Sequence, residues 1–287
     1  MEDKRVLVRE GEFARVLKAA SRDGNTLSPV LRDAWDSGDL RTLTKTSPDV
    51  ATGAHINIVA HITQDELLKE LRQTDAVNGF ANRFLWVASR RSKLLPDGGR
   101  LPDADFKSMG DAVRQQIRLI RSAGRMRWDR DAQAAEAWRL AYPVLTSARC
   151  GLFGSVTSRA EAQVLRLSLL YALLDYQRGE DALIREEHIG AALAVWFYCE
   201  ASAQCIFGDG TGDPKADRAM EVLRRSESKE MGRTEIGEAV FGKHSTKQKL
   251  DAVRDLLVRN GLIDVAKTKG ERDRTIEMWS LRETVLT

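Results

Sequence analysis

Apolar residues near the start of the chain occur either in short runs, which are typical of buried strands, or at helical spacing. Together these two patterns predict a small α/β part there. Two short apolar runs end in polar residues and indicate buried strands. Segments with helical spacing lie between and after them. The predicted strands cover 5–9, 56–60 and 84–87; the predicted helices cover 13–21, 29–36 and 65–73; and 40–54 is predicted to be a hairpin or an extended loop.

The middle of the chain has a helical period almost throughout. Its most apolar segment, residues 157–176, lacks a polar face and is therefore predicted to be a helix buried all round. A short strand is predicted at 125–128. The other predicted helices of this block cover residues 103–123, 129–147 and 186–207.

Residues 208–214 are rich in glycine and aspartate and predict a linker. Behind them the order is helix, helix, turn, helix and a hairpin with a basic tip, which is typical of a winged helix-turn-helix. The predicted helices cover 217–225, 235–241 and 246–259, and the predicted strands cover 262–267 and 275–280.

These elements predict a mainly α protein with a small α/β part. We expect a partial parallel sheet layer over residues 1–92, an all-helical block over 93–208 and a winged helix over 213–287. A chain of 287 residues is long enough for more than one domain.

Composition limits the classes of function. The net charge of +3 is too small to indicate a nucleic-acid partner, so any basic surface must be local. The three cysteines have neither metal-ligand spacing nor an even number, which indicates reduced thiols in the cytoplasm and no metal site. Because no run of 18 apolar residues occurs, no membrane span is predicted.

Candidate chemistry lies where the predicted strands end. Glu10 and Glu12 follow the first strand, and His61, Thr63 and Gln64 follow the second. Ligand sites of open α/β sheets lie beyond the carboxyl ends of strands. An acid there can hold Mg²⁺ or orient water, and the second group can sense a phosphate. The alternatives are a solvated turn for the glutamates and a helix cap for Thr63.

Arg83 ends a loop that contains glycine and asparagine and precedes a predicted strand. An arginine in that place can act as an arginine finger on the nucleotide of a neighbouring subunit. The alternative is an ion pair with a nearby acid. The charge run of Arg90, Arg91 and Lys93 is more typical of a solvated surface.

One segment, GEAVFGKH at residues 237–244, nearly matches the phosphate-binding P-loop pattern. We reject it because His244 replaces the hydroxyl that ligates Mg²⁺, the residues between the glycines have a helical pattern, and no buried strand precedes it. No other segment of the sequence offers a P-loop.

The tail from residue 243 to residue 274 has nine Lys and Arg against five Asp and Glu. In a winged helix, the third helix and the hairpin face DNA, and Lys and Arg contact phosphates. A module used for protein contacts or packing is the alternative. The candidate DNA-binding residues are Lys243, Lys247, Lys249, Arg254, Lys267, Lys269, Arg272 and Arg274.

Four segments carry a resemblance to a known family. They are EGEFARVL at residues 10–17, SPVLRDAWDSG at 28–38, HIT at 61–63 and NGFANRF at 78–84, and the last is the most specific. Over about residues 5–207 the chain resembles the C-terminal part of a family of bacterial, phage and plasmid proteins. Members have a RecA-like P-loop ATPase domain related to DnaB-type replicative helicases and are often fused to a primase-polymerase domain.

The resemblance implies that Glu10, with Glu12, is the acid of the Walker B type. It implies a sensor at His61 and Thr63 and an arginine finger at Arg83. The family's P-loop lies upstream of the Walker B strand, where this chain starts. We therefore expect either a truncated product or a second chain that supplies the P-loop.

The expected function is that of a C-terminal segment of a DNA-associated, helicase-like ATPase that acts in DNA replication. ATP and Mg²⁺ are expected only in an assembly that supplies a P-loop, and the chain alone is expected to lack activity. The expected partners are DNA and either a second copy or a P-loop-bearing protein. The alternative is a non-catalytic winged-helix DNA-binding or adaptor protein built on a degenerate ATPase remnant.

Overall fold

A computed structural model describes residues 4–41, 49–71, 73–99, 102–124, 126–208, 210–242, 246–269 and 275–282. The protein is mostly helical with small sheets, as the sequence predicted. The described elements are, in chain order, β1 (Arg5–Glu10), α1 (Phe13–Ala20), α2 (Leu27–Asp36), β2 (Leu40–Arg41), β3 (Val50–Ala51), β4 (His55–Ala60), α3 (Gln64–Glu70), α4 (Gln73–Val77), a 3-10 turn (Ala81–Arg83), α5 (Asp103–Ala123), β5 (Asp129–Arg130), α6 (Ala132–Leu145), α7 (Gly151–Thr157), α8 (Ala160–Asp175), β6 (Leu183–Ile184), α9 (Glu186–Phe207), α10 (Pro214–Arg225), β7 (Glu230–Gly232), α11 (Arg233–Phe241), α12 (Lys247–Arg259), β8 (Ile263–Lys269) and β9 (Thr275–Leu281).

Contacts within the chain divide it into two compact units. Unit 1 consists of Met1–Phe84, Arg149–Val156 and Ile206–Thr287, and unit 2 consists of Leu85–Ala148 and Thr157–Cys205. Unit 1 therefore contains both the N-terminal α/β part and the C-terminal helices with their hairpin. Each unit has a core of its own.

The N-terminal part of unit 1 is built on a parallel pair of strands, β1 and β4, which confirms the predicted parallel pairing. Register runs from Arg5 opposite His55 to Glu10 opposite Ala60. The prediction that β1 is buried is wrong, because Val6 is 48% exposed and Leu7 is 63% exposed. These two side chains point to opposite faces of the pair, so both faces are open.

The strand predicted at residues 84–87 is wrong: the structure describes all four residues and assigns no strand there. Their apolar character has a packing origin instead. Phe84 contacts Phe13 and Phe80, with ring centroids 5.4 and 5.2 Å apart. Leu85 packs against the core of unit 2. Phe84 and Leu85 are therefore apolar because they pack into cores, and this apolar run gave the same sequence pattern as a strand.

Unit 2 is helical and holds one parallel pair of two-residue strands, β5 and β6. In β5 the paired residues are Asp129 and Arg130. The strand predicted at 125–128 is wrong for the described residues 126–128, which are not strand. Burial of α8 on all sides is also a wrong prediction, because Leu170 and Leu174 are exposed. The buried side of α8, with Ala160 and Val164, contributes to the core.

Helix α9 has the length and apolar composition of a membrane span, with a mean hydropathy of 1.3 in its most apolar window. One such helix is weak evidence, since core helices of soluble proteins have the same composition. Ile189, Ala192 and Trp196 are buried in the core of unit 2. These residues make one side of α9 part of the core of unit 2, while Phe197 and Tyr198 are exposed.

The C-terminal part of unit 1 packs α10, α11 and α12 against a three-stranded antiparallel sheet with the order β7-β9-β8. Trp279 on β9 is completely buried among these helices. Asp213 caps α10, since its carboxylate accepts hydrogen bonds from the amides of Lys215 and Ala216 at 2.7 and 2.9 Å. This cap fixes the helix start directly after the predicted linker.

The core under α12 gives a matched pair of substitutions. Val253 is buried in the C-terminal core, whereas Val258 on the same helix is exposed. We expect Val253→Ala to lower the free energy of unfolding by about 1–3 kcal/mol, because two buried methyl groups are lost. Val258→Ala should change it by less than about 0.5 kcal/mol. Equal effects of the two variants in denaturant unfolding would contradict this packing of α12.

Candidate functional site

The carboxyl ends of β1 and β4 bring Glu10 and His61 together. The amide of His61 donates to the carbonyl oxygen of Glu10 at 2.9 Å, and the amide of Phe13 donates to the carbonyl oxygen of His61 at 2.9 Å. The Glu10 carboxylate accepts from the amide of Glu12 at 3.0 Å. Glu10 therefore stabilises its own turn and is half-buried, while Glu12 is exposed at the same edge.

Thr63 is the cap of α3. Its hydroxyl oxygen accepts from the amide of Glu66 at 3.3 Å and its hydroxyl donates to the Glu66 carboxylate at 2.9 Å. Thr63 therefore caps α3, as the helix-cap alternative predicted. Next to it, the side-chain amide of Gln64 donates to the carbonyl oxygen of Ile206 at 3.2 Å.

Arg83 has its local partners within unit 1. Its side chain is only 7% exposed, and Nη2 lies 2.5 Å from the Asp36 carboxylate. Nη1 donates to the carbonyl oxygen of Gly79, and the guanidinium lies over the Trp35 ring, 5.4 Å from its centroid. The ion-pair alternative describes this environment. A role towards another subunit would require Arg83 to leave these partners.

The loop before Arg83 is held on α2. Gly79 has a φ of 91°, and a Cβ atom there would lie 2.8 Å from Nη1 of Arg83, so a larger residue would disrupt the contact. Asn78 accepts a hydrogen bond from the amide of Phe80 at 3.0 Å, and Arg32 on α2 donates to the carbonyl oxygen of Asn78 at 3.1 Å. The NGFANRF pattern thus has a structural reason in this chain.

A network of four charged side chains joins α11, α12 and β9. Nη1 of Arg233 lies 2.8 Å from Asp251 and 3.2 Å from Glu277. Nη1 of Arg254 lies 2.9 Å from Asp251 and 3.5 Å from Glu277. The Trp279 indole also donates to Glu277, at 2.9 Å. The network anchors the hairpin to both helices.

The electrostatics of this network agree with its geometry. Burial alone would raise the pKa of Glu277, but the Trp279 indole and the two arginines together lower that pKa below its ordinary range. The hydrogen bond from Arg233 lowers the pKa of Asp251. A hydrogen bond to Asp255 raises the pKa of Arg254. Arg254, a candidate phosphate contact, is therefore already held by carboxylates.

Sequence reasoning missed Arg233, Asp251 and Glu277 as a group. The spacing of Asp251 and Arg254 on α12 indicates a local ion pair. No sequence pattern indicates that Glu277 joins them, because it is 23 residues from Arg254 and its contact depends on the register of the hairpin.

The candidate lysines lie around this network. Lys247 and Lys249 are exposed in the first turn of α12. On β8, Lys267 is opposite Glu277 and Lys269 is opposite Thr275. Since opposite residues share a face, both lysines lie on the face of the hairpin that carries Trp279 towards the helices. The candidates Lys243, Arg272 and Arg274 lie outside the described residues.

The rejected P-loop segment is helical where it is described. Residues 237–241 belong to α11, with Gly237 buried inside the C-terminal core. Backbone amides within a helix are already bonded and cannot surround a phosphate. This confirms the rejection for residues 237–241, while Lys243 and His244 lie outside the described residues.

Comparisons with known proteins identify neither the residues at the strand ends nor the charged residues of the C-terminal part. No protein-family model, no curated protein and no solved structure matches the chain.

Arg83 offers a direct test of its local role. We expect Arg83→Ala to lower the free energy of unfolding by about 1–3 kcal/mol, because Asp36 and the carbonyl of Gly79 lose their donor. Arg15, exposed on α1, provides the matched control, and Arg15→Ala should change stability by less than about 0.5 kcal/mol. An unchanged unfolding midpoint for Arg83→Ala would show that these contacts contribute nothing.

Proposed function

We propose that the C-terminal part of unit 1 is a winged helix-turn-helix that binds duplex DNA through its phosphates. Helices α10, α11 and α12 followed by the β8–β9 hairpin have the element order of that fold. In it, α12 is the helix offered to a groove and the hairpin is the wing. The proposed face consists of Lys247, Lys249, Lys267 and Lys269.

The observation that carries this proposal is the pair of lysines at the amino end of α12. The first turn of this helix contains no acidic residue, although the helix dipole favours acids and disfavours cations there. Lysines in that place cost stability, and the cost is offset if an anion binds. The amino end of a helix and a nearby cation together attract phosphate.

The charged residues of the C-terminal part have two different roles: Arg254 and Glu277 belong to the group that holds the hairpin, and the lysines belong to the proposed DNA face. The network of Arg254 and Glu277 holds the hairpin against α12, while the lysines extend beyond it into solvent. Lysines contact phosphates without reading bases, so we expect weak binding with little sequence preference, about 10⁻⁴–10⁻⁶ M at physiological salt. A cytoplasmic location is part of this proposal.

Salt dependence tests the DNA face. The variant Lys247→Ala/Lys249→Ala/Lys267→Ala should reduce the slope of log affinity against log salt by about 2.7, because about 0.9 is lost for each phosphate contact. The control Lys69→Ala/Lys93→Ala/Lys107→Ala removes the same charge elsewhere and should keep most of the slope. If wild type fails to bind duplex DNA at low salt, the module serves protein contacts or packing instead.

A second candidate function is favoured by the parallel pair β1 and β4. We propose that this edge completes a helicase-like ATPase of the RecA type, with Glu10 as the acid and His61 and Thr63 as neighbours of the nucleotide. Parallel sheets are normally covered on both faces, whereas both faces of this pair are exposed. We therefore propose that a P-loop-bearing protein supplies the missing strands and covers them.

ATP binding tests the second candidate. The chain alone should show no saturable Mg-ATP binding in calorimetry, because it lacks the loop whose amides and lysine hold phosphates. Lys243→Ala should give the same result as wild type. Tight binding that Lys243→Ala abolishes would show that the segment at 237–244 is a phosphate loop after all.

A further inference from the structure

Helix α5 has an apolar stripe that its own unit leaves open. Phe106, Met109, Val113 and Ile117 follow helical spacing and lie on one side of the helix. Phe106 is 71% exposed and Met109 is 65% exposed, and no residue of this helix is buried. A continuous stripe of large apolar side chains is typical of an interaction surface.

Helix α5 is held to the rest of unit 2 near its carboxyl end, where Leu119 and Ile120 are half-buried. The side-chain amide of Gln116 donates to the carbonyl oxygens of Leu173 and Tyr176 at 2.9 and 2.7 Å. This bond pair ties α5 to the end of α8 through a side chain beside the stripe. The stripe itself stays available to a partner.

The charges of α5 identify the partner. Its amino half carries three aspartates and one lysine, and its carboxyl half carries three arginines: Asp103, Asp105, Lys107 and Asp111, then Arg114, Arg118 and Arg121. A second α5 in parallel orientation would bring like charges together, whereas an antiparallel one brings opposite charges together. The charges of α5 are therefore complementary to those of a second α5 that runs antiparallel to it.

The apolar stripe has the same symmetry. Val113 is the central residue of Asp103–Ala123. Met109 and Ile117 lie four residues to either side of it, and Phe106 and Ile120 lie seven residues to either side. A two-fold axis at Val113 therefore places apolar residues opposite apolar residues. It also brings Arg121 of one helix close to Asp103 of the other, because these two residues are about five helical turns apart and lie on the same side of α5.

We infer that two copies of the chain associate through α5, packed antiparallel about a two-fold axis at Val113. The contact is isologous, since both copies use the same surface of α5. A helix of about 31 Å offers less area than a standard interface, so the dimer is weak and reversible. This inference is independent of the DNA-binding and ATPase proposals.

Sedimentation of the full chain over a range of concentrations tests the surface. Met109→Asp should weaken the dimer at least about tenfold, because a carboxylate enters the apolar seam on both sides. Gln115→Asp, on the opposite side of α5, introduces the same charge and should leave the dimer intact. A wild type that stays monomeric, or a dimer that Met109→Asp leaves unchanged, overturns the inference.

Charge reversal tests the orientation. Asp103→Arg and Arg121→Asp should each weaken the dimer, because like charges then face each other. The double variant Asp103→Arg/Arg121→Asp should restore it, since opposite charges face each other again. A double variant as weak as the single ones overturns the antiparallel arrangement.

A disulfide tests the position of the axis. In a background with Cys150→Ser and Cys205→Ser, Val113→Cys should form an intermolecular disulfide under mild oxidation, because the two cysteines meet at the axis. Gln115→Cys in the same background is the control and should cross-link far more slowly. Equal rates for the two variants overturn the placement of the axis at Val113.

Discussion

The ion-pair network of Arg233, Asp251, Arg254 and Glu277 is the constraint on which the C-terminal part depends. It joins the first residue of α11, the middle of α12 and the strand β9 through contacts of 2.8–3.5 Å. The four side chains are only 17–29% exposed, so breaking one pair leaves a partly buried charge without its partner. Asp255 lies 2.8 Å from Arg254 and adds a third carboxylate, so the group as a whole has no excess of positive charge. The positive character of this face therefore comes from the lysines around it.

The N-terminal part has the opposite character, because its sheet is exposed where parallel sheets are usually covered. Glu10 and His61 lie side by side at its edge, while Arg83 is held by Asp36. Folding within the chain thus accounts for Arg83, whereas the exposed apolar side chains of the sheet are the basis of the proposed partner. The proposed DNA face is complete within one chain, whereas the proposed nucleotide site depends on an assembly.

Most helices and the parallel strand pair were predictable from the sequence, because apolar residues recur in them at regular spacing and several end at a glycine or begin at a capping side chain. Helices α5 and α9 have the predicted bounds. The failures have a common cause. Burial of β1 and α8, and the supposed strand at 84–87, depended on what covers an apolar run, and periodicity does not carry that information. Likewise, Glu277 lies far from Arg254 in sequence, and the nearby Asp251 and Asp255 alone did not distinguish this arginine from the lysines of the proposed DNA face.

The central claim is that charged residues of the C-terminal part divide into an anchor and a DNA face. The measurement that tests it most directly compares Arg254→Ala with Lys247→Ala in both denaturant unfolding and salt-dependent DNA binding. Arg254→Ala should lower the free energy of unfolding by about 1–3 kcal/mol and leave the salt slope unchanged. Lys247→Ala should not lower the free energy of unfolding, since a cation at the amino end of a helix is unfavourable, and should reduce the slope by about 0.9. The reverse assignment, with Arg254 setting the slope and Lys247 setting stability, would contradict the account.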